Sequence, residues 1–136
     1  MTPNGVGLSQ NEDRLYVAET MTGRLMGYPI VRPGELADIP DWEAQVAGFA
    51  NFQLFDSLAV DAAGNVCVAT LVNGGITIIP ADGINPVHVP TGDGMTTNIC
   101  FCGDGLRTAF ITCSMSGRLV CCEWETPGLP LNFLNR

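Results

Sequence analysis

Thr2-Pro3-Asn4-Gly5-Val6-Gly7-Leu8-Ser9 reads as a turn that presents an amide side chain and then enters a short apolar strand. Two later stretches imitate it, Phe55-Asp56-Ser57-Leu58-Ala59-Val60-Asp61 and Thr97-Asn98-Ile99-Cys100-Phe101-Cys102-Gly103. Each sets Asn or Asp at the mouth of an apolar strand, followed by a polar turn and a second strand. The leading residues Asn4, Asp56 and Asn98 are separated by 52 and 42 positions, and so are Gly23, Gly75 and Gly117, each expected to close a second hairpin. A repeat of this length, built from short strands and turn signals, predicts propeller blades. Oxygen-bearing side chains at equivalent strand mouths then form a ring of potential ligands around a shared axis.

Working outward, each unit divides into strand, turn, strand, turn, strand. The strands fall at 5–8, 15–19 and 24–30, then at 58–60, 65–70 and 75–79, then at 99–102, 108–113 and 118–123. Outer fourth strands are expected over 43–47 and 86–89. The third unit has none, because Pro127 and Pro130 lack the N–H that a ladder needs, and only 131–134 follow. The segment 31–41, punctuated by Pro33, Gly34 and Pro40, predicts a connecting loop, and no amphipathic helix of ordinary length is visible. The expected fold is an all-β propeller piece with blade-like units over 1–49, 50–94 and 95–136. Since propellers close with about 4–8 blades, three leave two apolar flanks to be covered, by a missing half or by self-association.

Composition limits the function classes. Six Lys and Arg against 14 Asp and Glu give a net charge of −8, which disfavours a nucleic-acid partner and suits a cation site. No apolar run approaches the roughly 20 residues that span a bilayer, and no basic-then-apolar leader follows Met1, so no membrane is expected and the expected compartment is cytoplasmic. The six cysteines lie in apolar strand-like runs without C-x-x-C pairing, and are expected to be buried, reduced thiols. Cys100 and Cys102 would share a strand face, which leaves a metal or redox alternative open. His88 is expected at the surface, and Trp42 and Trp124 as packing residues. Neither a G-x-S-x-G elbow nor an H-E-x-x-H pair is present.

The ordered set of motifs resembles the SMP-30/gluconolactonase (regucalcin-like) family. The carrying stretches are Pro3-Asn4-Gly5-Val6-Gly7-Leu8-Ser9, Leu15-Tyr16-Val17-Ala18-Glu19-Thr20 with Thr22-Gly23-Arg24-Leu25, Asp56-Ser57-Leu58-Ala59-Val60-Asp61 with Gly64-Asn65-Val66-Cys67, and Thr96-Thr97-Asn98-Ile99 followed by Leu106-Arg107-Thr108. The resemblance covers the family's C-terminal half and implies three blades of a six-bladed gluconolactonase-type propeller. It also implies one divalent metal ion (Ca2+, Zn2+, Mg2+ or Mn2+) at the tunnel mouth and hydrolysis of a sugar lactone there. Asn4 and Asp56 match family ligands, and Asp56 matches the proposed catalytic residue. A third ligand, a Glu from the family's N-terminal half, has no counterpart, so a catalytically inactive fragment or binding module is the alternative. Position 57 is Ser where many relatives have Gly.

Three further residues complete the expected rim. Asn98 either joins the ligands or hydrogen-bonds its own turn. Glu19, expected to end near Asn4, is either an acceptor behind that ligand or a strand-end charge. Asn73 is a turn residue or lines the tunnel.

Overall fold

The computed structural model describes residues 2–48 and 53–132. They form three antiparallel sheets that follow one another along the chain. The first contains β1 (Pro3–Leu8), β2 (Arg14–Glu19), β3 (Arg24–Arg32), β4 (Glu35–Leu36) and β5 (Gln45–Gly48), with β4 and β5 both paired to β3. The second runs in the order β6 (Leu54–Val60), β7 (Val66–Leu71), β8 (Gly75–Ile79), β9 (Val87–Pro90). The third holds β10 (Thr96–Cys102), β11 (Thr108–Cys113) and β12 (Arg118–Glu123). Residues 49–52 and 133–136, where the predicted units meet or end, lie outside the described residues. No helix among the described residues is long and apolar enough to cross a membrane.

The second sheet is the middle layer, and the alternation of its strands shows why. On β7, Val66 and Val68 join Tyr16, Leu25 and Phe55 in one core, between the first and second sheets. Cys67 and Ala69 point the other way and join Ile99, Ile111 and Trp124 in a second core, between the second and third sheets. With both faces covered, β7 is buried from end to end, which explains its unbroken apolar sequence. The outer faces have no such cover among the described residues. Val6, Leu8 and Leu119 are 61%, 40% and 64% exposed there.

Several sequence expectations are corrected. The predicted loop over 31–41 contains β4, and a four-residue helix, α1 (Asp41–Ala44), takes the start of the expected outer strand, which begins at Gln45. The glycine that closes the second hairpin with a left-handed φ is Gly74 rather than Gly75; its counterparts are Gly23 and Gly117. Only Cys67 and Cys113 are buried. Cys100, Cys102, Cys121 and Cys122 are exposed, because the third sheet has a covered face on one side only and β12 is an edge. Trp42 is 79% exposed on α1, whereas Trp124 packs at 6.1 Å from the Phe101 ring. His88 is half-buried, with Nδ1 3.1 Å from Thr77 Oγ1, which in turn meets Thr70 Oγ1 at 2.7 Å.

The segment after β12 turns back across the second sheet. Pro127 accepts from Ala62 N–H, Gly128 donates to the Leu106 carbonyl, and Leu129 donates to the Val60 carbonyl at 3.0 Å. Gly128 lies so close to Phe101 that no side chain fits. The two prolines end the ladder as expected, and the chain is held by the groups between them.

Candidate metal centre at the strand mouths

All three inner strands carry a register shift at the same end. It falls between Pro3 and Val6 on β1, between Phe55 and Leu58 on β6, and between Thr96 and Asn98 on β10. A bulge leaves one residue unpaired and re-aims its side chain. Asn4 and Asp56 sit inside the first two irregularities, on strands that pack directly against each other. Gly5 makes that approach possible: a Cβ there would lie 2.6 Å from the Asp56 carbonyl oxygen and 2.9 Å from Leu58 N.

The two side chains meet. The Asn4 amide donates to Thr20 Oγ1 at 3.2 Å and lies close enough to the Asp56 carboxylate to stabilise its charge. The backbone N–H of Ser57 donates to that carboxylate. Burial raises the Asp56 pKa above the usual carboxylate value, and the Asn4 and Ser57 hydrogen bonds offset only part of that rise. No cationic side chain figures among these influences.

Glu19 is a useful contrast. It ends β2 opposite Pro3, at the same end of the first sheet. Its Oε2 accepts from Thr22 Oγ1 at 2.6 Å and from Arg24 at 2.7–2.8 Å, and Arg24 also reaches Asp41. Burial acts to raise the Glu19 pKa, yet Thr22 and Arg24 together hold it low. One rim carboxylate is therefore neutralised from within, and the other is supported by neutral donors alone. Hard, adjacent oxygens with an uncompensated carboxylate suit a hard divalent cation. Among the described residues no three His, Cys, Asp or Glu side chains cluster as a complete metal cage, so the pair amounts to part of a coordination shell.

The other rim residues are not brought into the pair. Asn98 Oδ1 accepts from its neighbour Ile99 N at 2.9 Å. Asn73 is exposed at the β7–β8 hairpin, its N–H bonded to Leu71 O across Val72, which has φ 67°. Thr20, which holds the Asn4 side chain, was given no role by the sequence, and Ser57, beside the Asp56 carboxylate, was noted only as a departure from the Gly of many relatives. Thr20 was findable in principle, since β2 runs back to the mouth of β1. A further polar hub is Asp93, which receives Met95 N, Ser116 N and Ser116 Oγ and ties the β11–β12 hairpin to the start of β10.

The raised pKa has a testable consequence. Ionising Asp56 opposes folding, so its contribution to stability falls as pH rises from the usual carboxylate value through its own raised value. A bound cation reverses this by favouring the ionised form. Cation affinity should therefore weaken as pH falls through that value, with proton release on binding. Calorimetric titrations in buffers of different ionisation heat check this, and affinity unchanged into mild acid would contradict it.

A family model described as the SMP-30/gluconolactonase/LRE-like region matches residues 1–115. Among solved structures, a calcium-binding regucalcin from Agrobacterium tumefaciens aligns with a TM-score of 0.75 at 18% identity, over 96% of this chain and 50% of that one. A gluconolactonase from Xanthomonas campestris aligns at 0.68 and 25% identity, over 93% and 38%. A periplasmic gluconolactonase from Pseudomonas aeruginosa aligns at 0.69 and 19% identity, over 94% and 41%. The chain thus spans half or less of these relatives' length. The sequence matches none of the curated proteins with which it was compared.

Proposed function

Because the chain belongs to the SMP-30/gluconolactonase/LRE-like family, we propose that its three sheets are three blades of a six-bladed ring that hydrolyses a lactone, with sugar lactones as the first candidates. The observation that carries this reading is the Asn4–Asp56 contact at the bulged strand mouths. Asn4 Oδ1 and the Asp56 carboxylate would hold one divalent ion, Ca2+, Zn2+, Mg2+ or Mn2+. Such an ion supplies polarisation of the lactone carbonyl and easier ionisation of water.

The chain's own residues do the rest. Asp56 takes the proton of the attacking water as the carboxylate at the strand mouth. Water oxygen bonds to the carbonyl carbon, the ring C–O bond breaks, and the proton passes to the departing alkoxide, giving a hydroxy acid. Asn4 and Ser57 N–H orient the carboxylate, and Thr20 fixes the Asn4 amide. Glu19 stays with Arg24 as a buttress of the same rim, while Asn73 and Asn98 shape its edge.

A second reading, a fragment or binding module without turnover, is favoured by the incomplete set of acidic ligands among the described residues. On this account the purified chain alone binds divalent cations weakly and shows only trace lactone hydrolysis. It also self-associates through its uncovered faces, where Val6 and Leu119 are exposed. Light scattering with calorimetric titration decides the matter. A monomer with tight stoichiometric binding and brisk turnover would contradict the half-ring assignment.

A further inference from the structure

The three sheets align residue by residue from the left-handed glycines of their second hairpins, Gly23, Gly74 and Gly117. Val17, Val68 and Ile111 stand at the same distance before them and pair with Val6, Leu58 and Ile99. Those three inner-strand residues are therefore equivalent, and so are Gly7, Ala59 and Cys100, one place further on. Leu25, Ile76 and Leu119 are equivalent two places past the glycines.

Two kinds of face follow. The backward face carries Leu58, Val60 and Val68 on the second sheet, and Ile99, Phe101 and Ile111 on the third. The forward face carries Tyr16, Ala18 and Leu25 on the first sheet, and Cys67, Ala69 and Ile76 on the second. Both internal contacts join a forward face to a backward one, and the inner strand on the forward side is small there. A Cβ at Gly7 would stand 2.6 Å from Leu58 Cδ1, and its counterpart in the second sheet is Ala59.

The two uncovered flanks are one of each kind. The first sheet's open backward face carries Val6 and Leu8, equivalents of the buried Leu58 and Val60. The third sheet's open forward face has Cys100 in the place of Gly7 and Ala59. It also has Leu119, 64% exposed, in the place of the fully buried Leu25 and Ile76. Two backward faces together would set Val6 and Leu8 against their own copies and hold the inner strands apart, so like does not suit like.

Resting on the half-ring reading, we infer that the partner of this chain is a second copy joined head to tail. The third sheet of each copy packs on the first sheet of the other, with Cys100 against Val6 as Gly7 is against Leu58 within the chain. A head-to-tail contact makes a closed ring only where its rotation closes, and two half circles close at two copies. On the first flank α1 stands over β3, where Asp41 meets Arg24, and it then lies opposite β12, the strand without an outer neighbour. The mouth of β10 in one copy comes beside that of β1 in the other, as β1 and β6 stand within the chain, and the partner completes the rim around Asn4.

Sedimentation of the full chain should give twice the chain mass, without growth as concentration rises. Leu119→Asp, at a site exposed in the single copy, should weaken the dimer at least about tenfold with circular dichroism unchanged. In Val6→Cys, diamide oxidation should yield covalent dimers whose linked peptides join position 6 of one copy to Cys100 of the other, and Cys100→Ala should remove them. Links from position 6 to position 6, or a dimer indifferent to Leu119→Asp, would overturn the proposal. A monomer would overturn it too, and would leave the half ring to a different partner chain. The link between position 6 and Cys100 in assemblies that grow with concentration would uphold the head-to-tail contact and remove the half-ring reading. No readout here involves a cation or a lactone.

Discussion

Asp56→Asn is expected to lower lactone turnover in the closed ring by about three orders of magnitude or more, the scale on which a general base contributes about 10²–10⁴-fold. The substitution keeps the shape and one oxygen at the strand mouth but removes the charge and the proton acceptor together. Among the described residues, the Asp56 carboxylate is influenced by Asn4 and Ser57, and no side-chain cation figures beside it. The loss should fall on kcat and on cation affinity at once, which distinguishes it from a folding defect. Asn98→Ala should leave most of the activity, because Asn98 serves its own backbone at Ile99 N. Steady-state kinetics with cation titration check both, and an active Asp56→Asn enzyme would remove Asp56 from the mechanism.

Phe55→Ala is expected to cost about 3–5 kcal/mol, the usual range for emptying a buried aromatic site. Phe55 is fully buried in the core between the first and second sheets, paired with Thr70 across β6 and β7. A single domain holds only about 5–15 kcal/mol in total, so this change should bring the chain close to unfolding. It also removes the anchor beside Asp56, so the strand mouth should loosen first. Urea denaturation against Trp42→Ala is the control, since Trp42 is 79% exposed and its loss should fall within about 0.5 kcal/mol. A Phe55→Ala protein with unchanged midpoint would contradict the packing described here.

What the sequence made legible was the strand plan and the strand mouths at which Asn4 and Asp56 sit. Pro-Asn-Gly and the Asp before a buried strand are turn chemistry, and turn chemistry is local. The bulges that aim Asn4 and Asp56 were not legible, because a register shift depends on the partner strand as much as on the bulged one. The cysteines were misread for a related reason. An apolar strand reads the same whether both its faces are covered, as on β7, or only one, as on β10 and β12. His88 looked like a surface residue until β9 laid it against Thr77. Glu19 could not be settled from spacing, since its choice between Asn4 and Arg24 is a matter of which neighbour carries a charge.

The central claim is that Asn4 and Asp56 form the cation site of this chain. Manganese titration followed by amide NMR tests it most directly, because paramagnetic broadening marks where the ion dwells among 14 acidic residues. The account predicts that signals of Gly5, Thr20, Ser57 and their neighbours broaden first, and that Asp56→Asn abolishes this order. Broadening that begins elsewhere, or that is unchanged in Asp56→Asn, would contradict it.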